Sequence, residues 1–171
     1  MVFLRAFLKS AVITFLVYLA ITSIGNYFYG DEFNFVSLLT QAGFFAVFFS
    51  LVMVSLQHSA VREIVAPNKP TDAEMKVNQV VTAMSDMSLA QLRSLIEGEG
   101  WQVRKDEADR ITVKKGISGF SWGEIIIVQK TSNADEFIIR SRPWIGLTSI
   151  DFGTNLSNVR TIKKLIDESK A

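Results

Sequence analysis

All but four of this chain's 18 basic and 17 acidic side chains lie beyond residue 60; the exceptions are Arg5, Lys9, Asp31 and Glu32. No other feature restricts the fold so strongly. Ser10 to Gly30 and Phe33 to Val61 are two runs without acidic or basic residues, apart from His58, separated only by the pair Asp31–Glu32. A hydrocarbon layer roughly 30 Å thick needs about 20 apolar residues to cross as helix. Both runs are long enough, and transmembrane spans are expected over about 8–28 and 36–57. A secretory leader also begins with basic residues, but its apolar core is about 7 to 15 residues long and ends at a small-x-small site. Ser23 to Asn26 matches such a site poorly and a second run follows at once, so the first run is expected to be retained. A water-soluble hairpin of this length would need more protein to cover it than the chain has left.

The stretch from Asn26 to Phe35 then reads as the tip of a helical hairpin. Tyr27, Phe28, Tyr29, Phe33 and Phe35 are rings suited to the membrane–water boundary, and Gly30, Asp31 and Glu32 form the short connection outside it. Arg5 and Lys9 precede the first span, Arg62 and Lys69 follow the second, and the connection has no basic residue. By the positive-inside rule both termini are cytoplasmic, which in a bacterium places a multi-pass protein in the inner (plasma) membrane. Ala42, Ala46 and Ser50 recur every four residues with Gly43 beside them, and Ala6, Ser10 and Thr14 share that spacing on the first span. Small residues so spaced let helix backbones approach closely; they serve either the hairpin's own packing or contact with another membrane subunit. Neither span carries a charge in its core, which argues against an ion path. His58, where the second span emerges, has no partner in sequence.

Beyond the spans the chain reads as water-soluble protein. The linker Ala66-Pro67-Asn68-Lys69-Pro70 breaks the second helix because proline cannot continue it. Thr71 with Glu74 is a capping box for a helix, yet residues 75–84 also suit a strand, the reading preferred here because a stronger helix start follows. That start is Ser88 with Gln91, and the helix should run to about Glu97 with Leu89, Leu92, Leu95 and Ile96 as its stripe. Strands are predicted from Trp101, Arg110, Glu124 and Glu136, the first pair joined by an acidic turn at 106–109 and the last pair by a turn at 132–135. The third is apolar on both faces, as a central strand should be. Leu156 to about Ser169 is an amphipathic closing helix with Asn155 as its expected cap. The fold class is therefore α+β. A two-helix transmembrane hairpin (1–62) and a linker (63–70) precede a cytoplasmic domain (71–171), an antiparallel sheet of four or five strands with two helices on one face.

Function is less sharply written. Without cysteine, disulfides, thiolate catalysis and Cys-ligated metals are excluded, and one histidine leaves little for a metal site. A net charge of +1 gives no nucleic-acid footprint. The glycine-rich loop at 116–123 joins two strands and lacks the Lys-Ser or Lys-Thr of a phosphate loop. Lys114, Lys115, Phe120 and Trp122 around it would suit a loop that dips into lipid headgroups. Arg140 and Arg142 share one strand face beside Trp144, where they would bind a phosphate or carboxylate, or pair with Asp151 or Glu136. The carboxylate pairs Asp106–Glu107 and Asp135–Glu136 fall in expected turns, where solvated acids are ordinary.

Arg140, Ser141, Gly146, Asp151, Gly153, Asn155 and Arg160, with Gly119 and Phe120 upstream, occur in the order of a closing signature. It resembles that of a family of small bacterial and plastid domains with no assigned activity. The likeness covers about the last 70 residues and departs by an insertion between Gly146 and Asp151 and by Ser121-Trp122 in place of an acidic pair. It implies a shared fold and no reaction, and it directs attention to the turn from Arg140 to Asn155.

The function expected is a non-enzymatic adaptor or assembly subunit that holds a small cytoplasmic binding domain at the bilayer. Its partners would be lipid and another membrane protein or a second copy, without cofactor, metal or nucleic acid. The alternatives are a tethered domain that senses anionic lipid or another anion, and an enzyme acting on a membrane lipid or phosphorylated metabolite.

Overall fold

Two helices open the chain, α1 (Val2–Tyr29) and α2 (Phe35–Val65), each long and apolar enough to cross a membrane. The computed structural model describes residues 2–29, 34–118, 121–131, 135–146 and 148–169. The expected hairpin connection at Gly30 to Glu32, Phe33, the loop residues Gly119 and Phe120, and most of the turn at 132–135 lie outside them. In the most apolar windows of α1 and α2 only 6% and 22% of residues are buried. The described part of the chain therefore does not itself cover them as the core of a bundle. Asn34 caps α2, its side chain accepting from Ser37 N at 2.9 Å. The helices run antiparallel: Ser50 Oγ donates to Ser10 Oγ at 3.1 Å, and Tyr18 donates to Gln41 at 3.3 Å.

α2 stops at Val65, just before the cis Ala66–Pro67 peptide. The expected span end near 57 is not the end of the helix, and Glu63 to Val65, expected in the linker, form its last turn. The reason is a stripe with one buried residue per turn, Leu38, Ala42, Ala46, Ser50, Val54, Gln57, Val61 and Val65, which continues unbroken until proline ends the helix. Val61 and Val65 belong to the hydrophobic core of the following domain.

That domain is a five-stranded antiparallel sheet of order β1-β5-β4-β3-β2, with β1 (Gln79–Met84), β2 (Val103–Glu107), β3 (Arg110–Lys115), β4 (Glu124–Lys130) and β5 (Glu136–Pro143). The doubly apolar β4 is central. Both signals before β1 are used. Thr71 and Glu74 bond reciprocally around a single turn, and the strand starts only at Gln79. Helix α3 (Leu89–Gly98) begins with the full Ser88–Gln91 capping box. The acidic turn is shorter than expected: Asp106 and Glu107 extend β2, because Glu107 sits opposite Arg110 and pairs with it. Helices α3 and α4 (Thr154–Glu168) pack on one sheet face. There Leu92, Ile96, Ile111, Ile126, Phe137, Ile139, Ile162 and Ile166 are fully buried.

Candidate functional site

The lower end of α2 meets the start of α4 in a seam of buried polar groups. Asp151, 2% exposed, accepts four hydrogen bonds on its carboxylate. Gln57 Nε2 at 3.0 Å and Gly153 N at 3.2 Å bind one oxygen; Asn155 N at 3.0 Å and Asn155 Nδ2 at 2.7 Å bind the other. Asp151 N returns a bond to Gln57 Oε1 at 3.1 Å, so the glutamine amide is read on both sides. A buried carboxylate is costly unless its lone pairs are satisfied. Here four donors and the N-terminal end of α4 do that without a cation.

The network runs inward. Ser141 Oγ donates to Asn155 Oδ1 at 2.6 Å, Asn158 Nδ2 to Ser141 Oγ at 3.3 Å, and Lys115 Nζ to Asn158 Oδ1 at 2.9 Å. Glu124, across from Lys115 in the β3–β4 pair and 2% exposed, has one oxygen without a partner among the described residues.

Local geometry makes the seam tight. Phe152 and Gly153 both have left-handed backbone, φ +50° and +74°. A Cβ on Gly153 would lie 2.6 Å from Ile64 Cδ1 and 3.3 Å from Val61 Cγ2, so glycine permits both the turn and the approach of α2. Arg160 of α4 donates to Ile64 O at 2.7 Å, a carbonyl left free at the end of α2, and to Glu74 at 2.7 Å. The backbone hydrogen bond from Thr71, with Arg160 beside it, holds the Glu74 carboxyl below its ordinary 4.5.

Several expected roles change. Asn155 does not cap α4: Gly153 occupies that position, Asn155 is the second helical residue, and Asp151 supplies the acceptors. Asp151 faces Gln57, and neither Arg140 nor Arg142 pairs with it or with Glu136; both arginines stand exposed on the sheet face opposite α3 and α4. Lys114 Nζ lies 3.4 Å from the centre of the Trp144 ring, whereas Lys115 turns to the core face, beside Trp101 and Asn158. Both lysines still line one cavity, with Trp101, Arg104 and Ile117. Trp122 is 61% exposed. Ala42, Ala46 and Ser50 are buried on the side of α2 that packs on α1, and Gly43 stands beside the stripe, where an added Cβ would meet nothing within 4 Å.

Arg142 instead joins Arg5, Lys9 and Lys76 around a cavity of about 600 Å³ between the first turns of α1 and the end of the sheet. Gln57 and the gathering of Arg142 with Arg5, Lys9 and Lys76 escape sequence reasoning, while Gly153 and Arg160 enter it only through the family resemblance. Only Gln57 leaves a local trace, as a polar residue in the once-per-turn stripe between Val54 and Val61. Among the described residues no three His, Asp or Glu side chains converge as metal ligands. No family model, curated protein or solved structure matches the chain.

Proposed function

We propose that the chain is a multi-pass membrane protein of the bacterial inner membrane, both termini cytoplasmic, that works as an adaptor or assembly subunit and not as an enzyme. The observation that carries this reading is the continuity of α2. One helix serves as an apolar span and as a wall of the domain core, and Gln57–Asp151, Gly153 and Arg160 lock it there. A domain clamped to its span keeps a defined orientation to the bilayer, which a flexible tether would not give. The sheet face that α3 and α4 leave uncovered carries Val80, Met84, Arg140 and Trp144, all exposed. Met, aromatic residues and Arg are enriched at protein interfaces, and the arginine favours an acidic partner surface.

The cysteine-free sequence makes the test direct. Asn34→Cys and Lys105→Cys, labelled with an impermeant maleimide on intact cells, should react from opposite sides, Asn34→Cys alone being labelled from outside. Equal labelling of both defeats the membrane placement. For the adaptor role, a partner retained in mild detergent should be lost on Arg140→Glu and kept on Lys164→Glu, a control on the far side of α4. A solitary monomer, or loss in both variants, defeats it.

A further inference from the structure

The basic cavity continues into an apolar one. A groove of about 310 Å³ lined by Ile13 of α1, Phe49 and Met53 of α2, and the loop residues Trp122 and Ile145 shares Thr148 and Ser149 with the cavity of Arg5, Lys9, Lys76 and Arg142. Arg5, Lys9 and Ile13 follow at four-residue steps on one face of α1, about 6 Å apart along its axis. The step from charge to apolar surface thus occurs within about 12 Å. The polar layers of a bilayer add roughly 10 to 15 Å in total to a 30 Å core, about 5 to 7 Å per leaflet, which matches the last of these steps, from Lys9 to Ile13.

The four cations have no carboxylate partner among the described residues, and no acidic side chain lines either groove. Among the described residues the one hydrogen bond from their head groups is Lys9 Nζ donating to Thr148 O at 3.5 Å. Like charges gathered round one cavity repel, and an anion seated among them relieves that repulsion. Arginine forks suit phosphate oxygens, and an adjoining apolar groove suits an alkyl chain.

We infer that these joined grooves bind one anionic phospholipid. Its phosphate takes donors from Arg5, Lys9, Lys76 and Arg142, and an acyl chain lies along Ile13, Phe49 and Met53 under Trp122 and Ile145. A headgroup bearing phosphate and no cation of its own fits best, because a choline or ethanolamine ammonium would enter a site already crowded with positive charge. The inference rests on the membrane placement proposed above. It does not rest on the adaptor role.

Full-length protein reconstituted in phosphatidylcholine vesicles tests it. All three tryptophans lie in the cytoplasmic domain, and Trp122 lines the groove. Bromine on acyl chains quenches an indole in contact with them. Brominated phosphatidylglycerol should quench at a lower mole fraction than brominated phosphatidylcholine. Trp122→Phe should remove the saturable part of the quenching. Each of Arg142→Gln and Lys76→Gln should weaken the preference about fivefold, as loss of one cation near an anionic surface implies. Added salt should weaken it as well. Equal quenching by both lipids, or an undiminished preference in the double variant Arg142→Gln/Lys76→Gln, overturns the inference while the membrane placement stands. Displacement of the lipid by equimolar inorganic phosphate identifies a free phosphoanion as the occupant and overturns it too. Failure to reconstitute at all defeats the placement and the lipid site together.

Discussion

The hairpin and the domain bury opposite kinds of side chain. Along the outer part of α2 the buried stripe includes Ala42, Ala46 and Ser50, while Phe44 and Phe48 are 76% and 60% exposed. In the domain, Phe137, Leu92, Ile126 and Ile139 are fully buried, and most exposed side chains are charged or polar. Burial of large apolar groups stabilises a fold only where the alternative is water. Where the surroundings are apolar, close backbone approach and hydrogen bonds such as Ser10–Ser50 hold helices together. With the membrane placement proposed above, the two halves of the chain meet different solvents, and α2 crosses from one regime to the other near Gln57.

The largest effect that would probe this contrast lies at the crossing. Asp151→Ala leaves four donors without their acceptor and should cost roughly 3 kcal/mol or more of domain stability. The three tryptophans make unfolding of the detergent-solubilised protein readable by fluorescence, and an unchanged midpoint would show that α2 is not locked to the domain. Phe48→Arg comes next. At an exposed site on a water-soluble protein such a change falls within about 0.5 kcal/mol; at the centre of a span it should oppose insertion by about 2.5 to 3.5 kcal/mol. The fraction of chain resisting alkaline extraction from membranes separates the two cases.

Gly153→Ala should destabilise by about 1 to 2 kcal/mol, mostly from forcing a side chain into left-handed backbone, because the nearest atom, Ile64 Cδ1, can move aside. The same unfolding measurement checks it, and Gly43→Ala on the hairpin should be near neutral for want of any close neighbour. Smallest is the pH effect at Glu74. Its carboxyl titrates lower in the folded chain than in the unfolded one, so its stabilisation is present above the ordinary value of 4.5 and is lost as pH falls through the lower folded value. The contribution should be no more than about 1 kcal/mol, since the Arg160 pair is partly solvated. A Glu74→Gln variant should therefore lose its deficit against the parent chain only in acid.

Elements whose signals lie within a few residues of one another are legible in the chain itself. The Ser88–Gln91 capping box marks α3, and the doubly apolar run after Glu124 marks the central strand. Helix-capping rules mislead at Asn155, where a preceding Asp and Gly perform the task that Asn was expected to perform. The seam is less legible still. Gln57 and Asp151 are 94 residues apart, and nothing near either names the other. Of the ordered residues resembling a family signature, Ser141, Asp151, Gly153, Asn155 and Arg160 all lie at the joint between α2 and the domain.

The sequence alone determined which segments could meet an apolar solvent, which could form strands and helices, and where the two regimes change. These follow from charge, periodicity and capping, all local in the chain. Tertiary structure alone decided that α2 would become part of the domain core, and that Arg5, Lys9, Lys76 and Arg142 would share one cavity. Such neighbours are chosen by which apolar faces remain to be covered once each element has formed. That is a property of the assembled surfaces, and no short stretch of chain encodes it.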